Sequence, residues 1–213
     1  PRRSARRRVA KHFFPVGKKN KKTPKKKALT PEEDAKRIAK LTKRGQSECV
    51  EVRGSVIHGR GVYATRDTEP EEHVIEYVGN FIDKEESERR AWALFAESEK
   101  SGGAAVYIFN VSKKWDLDGD VEWNPARLIN HSCDPNCEAT QVKKRIYISA
   151  TRPIKKDEEI TFDYGFPADS YADHPCLCGS PKCLGYIVGK DYLKKFRKLQ
   201  KKAKKAAAEA LEG

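Results

Sequence analysis

The sequence predicts a mainly β domain with short helices, carried between two basic tails. Three observations predict it. Between Cys49 and about Phe166, short apolar runs rich in Val, Ile, Tyr and Thr alternate with turn residues, as β-strands do. Helical periodicity is confined to three stretches that flank or interrupt those runs. The net charge of +13 is also unevenly spread: residues 1–44 carry +15, residues 190–213 carry +6, and the body between them is left at −8. A chain of 213 residues holds one good-sized domain plus tails, and hardly two.

Residues 1–29 have no amphipathic period and few large apolar side chains, which predicts disorder. Thr30 as N-cap, Pro31 at the first helical position and Glu33 three residues after the cap start a helix that stops near Gly45. Strands are expected at VEVRGSVI, GVYAT, HVIEYVG, VYIFNV, RIYISATRPI and EITFDY. They are interrupted by a helix over KEESERRAWALFAESE, with Ala91, Leu94, Phe95 and Ser98 on one face. The last segment, 190–212, places Tyr192, Leu193, Phe196 and Leu199 on one stripe, as in a helix docked on its own domain. The expected boundaries are a basic arm with a short helix over 1–48, the β body over 49–168, a cysteine loop over 169–189 and a basic helix over 190–213.

No run approaches the roughly 18 apolar residues of a membrane span, and the arginine-rich start lacks the apolar stretch of a secretion signal. A soluble intracellular protein with no membrane partner is expected. Lysine runs are either solvated arms or grips on phosphate backbones, so nucleic acid is a candidate partner of the tails. The acidic body suits a basic partner.

In such a chain six cysteines argue for metal or reduced thiols over disulfides. Cys176, Cys178 and Cys183 lie in CLCGSPKC, a loop able to fill three corners of a zinc tetrahedron. Cys133 and Cys137, both in NHSCDPNC at 130–137, are the candidates for the fourth. Use of Cys133 would staple that octapeptide to the C-terminal segment, and the set expected is Cys133, Cys176, Cys178 and Cys183. Cys49 and Cys137 then read as ordinary buried thiols. Taken alone, NHSCDPNC is a polar turn around Asp134-Pro135-Asn136.

NHSCDPNC occurs in one order with HGRGV at 58–62, EYVGN at 76–80, EEITFDYG at 158–165 and CLCGSPKC at 176–183. That ordered set resembles the SET-domain lysine methyltransferases with a post-SET zinc loop, and its details are most similar to the trithorax-like branch. The resemblance covers residues 54–187. It implies a SET-domain (β-clip) fold with a threaded, knot-like C-terminal segment and a zinc-stapled post-SET loop. It also implies S-adenosylmethionine as cofactor, with one structural zinc ion.

By the same resemblance, His58, Arg60 and Gly61 form the G-x-G wall of the cofactor pocket. Asn130 and His131 hold the carboxylate end and the adenosine, Tyr107 reaches the cofactor, and Leu177 covers the adenine. Tyr164 is the counterpart of the catalytic tyrosine, and Tyr77, Tyr107 and Phe162 wall the lysine channel. Phe162 stands where trithorax-like relatives typically have Tyr. Relatives with Phe leave room for more methyl groups, so di- or trimethylation is expected. The implied substrate is a basic protein tail, with histone H3 the first choice; an automethylating enzyme and a non-catalytic zinc-stapled chromatin module are the alternatives. The family places such a protein at chromatin in a eukaryote, and at the nucleoid or inside a host if the source is bacterial. Asp157 replaces the usual glycine in the turn before EEIT, a replacement that Asp tolerates.

Overall fold

The structure is a computed structural model that describes residues 29–101 and 107–212, with side chains placed outside 95–101 and 210–212. The disorder expected over 1–29 therefore lies outside the described residues except at its last position, and so do the side chains of Phe95 and Ser98.

Helix α1, Pro31–Gly45, starts as expected. The Thr30 hydroxyl accepts the Glu33 N–H at 3.2 Å, and the Glu33 carboxylate accepts the Thr30 N–H at 2.8 Å. Two unpaired donors of the first turn are thereby satisfied. At its other end Arg44 grips Glu76, a carboxylate only 5% exposed that Arg145 binds from the opposite side. This clamp fastens α1 to the sheet.

Among the described residues ten strands come after it: β1 Val50–Gly54, β2 Arg60–Ala64, β3 His73–Tyr77, β4 Asn80–Asp83, β5 Ile108–Asn110, β6 Trp115–Asp118, β7 Asn130–His131, β8 Cys137–Val142, β9 Arg145–Ala150 and β10 Glu159–Phe162. The main sheet runs β1-β2-β10-β8-β9-β3, with β7 paired to β10 in parallel, and β4-β6-β5 form a small antiparallel sheet. The late strand β10 thus enters between β2, from the start of the sheet, and β8. Val62, Ala64, Ile148, Ile154 and Ile160 are wholly buried and make the centre of the core. Among the described residues no helix is long and apolar enough to cross a membrane.

Four strands, β4, β6, β7 and β8, have no counterpart among the expected runs, and several expected runs end early. VEVRGSVI stops pairing at Gly54, because residues 55–59 turn. Strand β8, CEATQV, is exposed or half-buried after Cys137, so it shows no apolar alternation. Its hairpin to β9 turns at Lys143 with φ +58, without the Asn-Gly or Asp-Gly that marks such turns in a sequence. Asp157, in the turn before β10, takes the left-handed conformation at φ +67, which glycine adopts freely and Asp tolerates. Cys137 is buried as expected, and burial pushes its thiol up to about 12. Cys49 is only half-buried, because it precedes the edge strand β1, and its Sγ lies 2.9 Å from Arg66 Nη2.

Helix α2, Lys84–Ser101, connects β4 to β5, and helix α3, Leu193–Glu212, ends the described chain. Of the expected stripe on α3, Phe196 is buried, Leu193 and Leu199 are half-buried, and Tyr192 is exposed.

Candidate functional site

The octapeptide NHSCDPNC runs along β7 and into β8, and its polar side chains tie three parts of the molecule together. Asn130 is buried, and its Nδ2 lies 3.3 Å from the His58 carbonyl and 3.1 Å from the Arg60 carbonyl. The same amide approaches Glu159 Oε1 at 2.8 Å and Ser55 Oγ at 3.1 Å. It therefore binds the G-x-G turn to β10. Gly59 in that turn has φ +50, where a side chain is strained.

Gly61 has a different reason to be small. A Cβ there would fall 2.3 Å from Glu159 Oε1, so the carboxylate occupies the space a side chain would need. Ser55 Oγ and Tyr63 Oη also donate to Glu159, at 2.8 and 3.0 Å. Glu159 lies within the EEITFDYG motif, but no role was assigned to it there.

Asn136 is buried too, and it does on the far side what Asn130 does on the near one. Its Oδ1 accepts the Thr161 N–H at 2.8 Å, and its Nδ2 donates to the Glu159 carbonyl at 2.8 Å. The two asparagines hold β10 between them, which places Phe162 and Tyr164 at its end.

His131 is buried between that strand end and the cysteines. Its Nδ1 accepts the Tyr164 N–H at 3.3 Å, so the ring proton belongs on Nε2, which faces Cys133 Sγ at 3.7 Å. One imidazole links the Tyr164 backbone to the cysteine cluster.

The Sγ atoms of Cys133, Cys176, Cys178 and Cys183 all lie within 4.8 Å of one another. Cys133 and Cys176 are 3.7 Å apart, and no disulfide forms among the six cysteines. Four thiolates held about 2.3 Å from a tetrahedral zinc ion stand about 3.8 Å apart, so the cluster fits zinc in both donor type and spacing. The Leu184 N–H points to Cys133 Sγ at 3.5 Å and the Gly185 N–H to Cys183 Sγ at 3.4 Å, which favours thiolates. The Cys176–Cys133 hydrogen bond holds the Cys133 thiol well below its ordinary value, and the same bond together with burial pushes Cys176 up.

Phe162, Phe109, Tyr77 and Tyr164 form a continuous aromatic wall. Ring centroids are 4.7 Å apart for Tyr77–Phe109, 5.9 Å for Phe109–Phe162 and 5.1 Å for Phe162–Tyr164. Phe109 lay inside an expected strand and had no mark of its own. Tyr77 and Phe162 are buried, and Tyr164 is partly exposed with its hydroxyl donating to the Ile129 carbonyl at 2.9 Å. Burial raises the pKa of Tyr164 well above the ordinary phenol value, so it is a neutral phenol at any physiological pH.

Tyr77 donates to the Tyr107 carbonyl at 3.1 Å. Burial raises the Tyr107 pKa, Asp120 adds to this, and the nearby guanidinium groups of Arg127 and Arg60 oppose it. His58 and Arg60 are exposed at the rim, and Leu177 is 67% exposed between two of the clustered cysteines. The structure thus brings the expected residues into two adjoining regions, the aromatic wall and the four-sulfur loop, joined by His131.

Behind the loop is a second aromatic group that the motifs did not indicate. Phe196 of α3 meets Tyr171 and Tyr186 edge-on, at 5.1 and 6.1 Å between centroids, and these two tyrosines meet each other at 4.9 Å. Tyr186 comes shortly after the last clustered cysteine, and its carbonyl lies 3.8 Å from Cys133 Sγ. Helix α3 therefore buttresses the loop.

Comparison with known proteins agrees with this geometry. The SET domain family matches residues 59–165, half of the chain. The chain belongs to the SET-domain family. Residues of this SET protein are 37% identical over 166 positions to "Histone-lysine N-methyltransferase, H3 lysine-4 specific" of Eremothecium gossypii, covering 75% of this chain and 16% of that protein. They are 40% identical over 137 positions to "Histone-lysine N-methyltransferase trithorax" of Drosophila virilis, covering 62% of this chain and 3% of the relative. Against "Histone-lysine N-methyltransferase set-2" of Caenorhabditis elegans the figures are 41% over 138 positions, 62% and 9%. The SET protein spans less than a fifth of each of these relatives, all of which carry a histone-lysine methyltransferase name. The likeness to the trithorax-like branch expected from the motifs is thereby found.

Proposed function

We propose that the chain transfers methyl groups from S-adenosylmethionine to the ε-amino group of a lysine in a basic protein tail, with the histone H3 tail as substrate. The observation that carries this reading is the fusion of the aromatic wall with the His131-linked cysteine loop, in a SET domain whose relatives bear histone-lysine methyltransferase names.

The bound cofactor supplies an electrophilic sulfonium methyl; the rest is positioning by the chain. A lysine amine reacts only when neutral, and its pKa near 10.4 leaves about one part in several hundred neutral near pH 8. Phe109, Phe162 and Tyr77 wall the channel with apolar carbon and strip water from an entering ammonium, and that desolvation favours the neutral amine. Tyr164 is not a base. Its proton is committed to the Ile129 carbonyl, which leaves the oxygen lone pairs free to accept an amine N–H and fix the nitrogen in line with the methyl donor. The backbone carbonyls of His58 and Arg60, with Asn130 and His131, would line the cofactor's methionine end and Leu177 its adenine. Cys133, Cys176, Cys178 and Cys183 would hold one zinc ion with no part in the reaction; it fixes the loop that carries Leu177.

Phe162 supports di- or trimethylation, since its ring brings no hydroxyl to anchor a water beside the amine. The basic tails support nucleic acid as a second partner, and a site of action at chromatin or a nucleoid. The test is incubation with labelled S-adenosylmethionine and, separately, H3 tail peptide, an unrelated lysine-rich peptide and no added protein. Label on the H3 peptide supports the reading. Label confined to the chain itself makes it automethylating, and no label despite cofactor binding makes it a binding module.

A further inference from the structure

Among the described residues, the most concentrated charge outside the site is on α3. At about 100° per residue, all eight lysines and arginines between residues 194 and 205 fall within about half of the helix circumference. Phe196, Leu199, Ala203 and Ala207 occupy the other half. Only the first turns of α3 are packed; residues 201–209 are exposed on every side. Lys195 pairs with Asp169 and Lys205 with Glu209, and the other six cations form no ion pair among the described residues.

We infer that this face of α3 docks on the phosphate backbone of duplex DNA, and that Phe196 holds the DNA at a fixed place beside the cysteine loop. This deepens the nucleic-acid part of the reading above and rests on it for its consequence: a basic tail held on DNA is presented to the site. The argument is charge complementarity with the right width. A helix about 10–12 Å across fits a major groove about 12 Å wide, and cations spread over half its circumference face both phosphate rows. Few bulky apolar residues remain for a membrane surface to take up, since Phe196 is buried against Tyr171 and Tyr186, and beyond Leu199 that half offers the small Ala203 and Ala207 and a single large residue, Leu211, in the last turn. The same lack of anchors disfavours an acidic protein groove.

The test compares the full chain with a variant carrying Lys201→Gln, Lys202→Gln, Lys204→Gln and Lys205→Gln, four exposed positions where Gln keeps helix propensity. Binding to a short random-sequence duplex is followed by fluorescence anisotropy over a salt series, with melting temperature and methylation of free H3 tail peptide measured in parallel. The log–log salt slope should become shallower by about 3 to 4 in the variant, with melting and peptide methylation unchanged. A slope that shifts by less than about one overturns the inference, as does tighter binding to single-stranded RNA or to anionic vesicles than to the duplex. Methylation absent from both proteins while the slope changes sinks the methyltransferase reading and leaves the DNA surface standing.

Discussion

Replacing Gly119 with alanine tests whether the aromatic wall is as tightly set as its geometry indicates. Gly119 lies outside the left-handed region, so alanine brings no backbone strain, only a methyl group. That methyl would sit 2.1 Å from Tyr77 Cε1, 2.5 Å from Cζ and 2.6 Å from the hydroxyl oxygen, where ordinary contact begins at 3.4 Å. The ring must retreat by about 1.3 Å, yet Tyr77 is only 1% exposed and is packed against Phe109. Overpacking of this kind costs about 1–3 kcal/mol, and losing the Tyr77–Tyr107 hydrogen bond about 1 more. The melting temperature should fall by roughly 5–15 °C. Methyl transfer should fall further than stability requires, since a displacement near 1 Å in a positioning group costs on the order of 100-fold. Calorimetric cofactor binding separates the two effects, because Gly119 touches the lysine channel and not the G-x-G turn. Wild-type melting together with wild-type kcat/KM on the H3 peptide would refute the reasoning.

Three further outcomes concern other parts of the molecule. Phe162→Tyr should lower the number of methyl groups added at long times, read by mass spectrometry, and an unchanged methyl count would remove the space argument. His131→Asn keeps an acceptor for the Tyr164 N–H but loses the donor to Cys133, whereas His131→Gln can keep that donor. Zinc release to a chromophoric chelator should therefore be about 10–100-fold easier in the Asn variant than in wild type and closer to wild type in the Gln variant; equal loss in both would make His131 a packing residue only. Glu76 is subject to burial, which raises its pKa, but Arg145 and Arg44 outweigh it and hold the carboxyl below its ordinary value. Its stabilisation is therefore present above the ordinary carboxylate range and is lost as pH falls through the depressed value. Glu76→Gln should cost about 1–3 kcal/mol near neutrality and flatten the acid limb of the melting-temperature profile; a parallel acid limb would contradict this.

The site was more legible in the sequence than the sheet around it. Asn130, His131 and the cysteines carry chemistry in their side-chain types, and their spacing in one octapeptide pointed to a staple that the four clustered sulfurs display. Residues that work by shape gave no such signal. Phe109 is one apolar residue in a strand, Gly119 one glycine among fourteen, and Glu159 a carboxylate inside EEITFDYG with no role of its own; only the fold makes them neighbours of Tyr77, Phe162 and Asn130. Strand β8 escaped notice because its outward faces are polar on both sides, and period-two reading needs one buried face. Asn136 was in view from the start, but its partners are backbone groups of β10, about which a linear sequence says nothing.

The measurement that tests the central claim most directly is an intact-mass time course of H3 tail peptide with S-adenosylmethionine, comparing wild type with Tyr164→Phe. The account predicts two or three methyl additions of about 14 Da each by wild type, and a loss of rate on the order of 100-fold or more in the variant with cofactor binding retained, because only the positioned hydroxyl is removed. Equal rates for the two proteins, or no mass change with wild type under saturating cofactor, would contradict it.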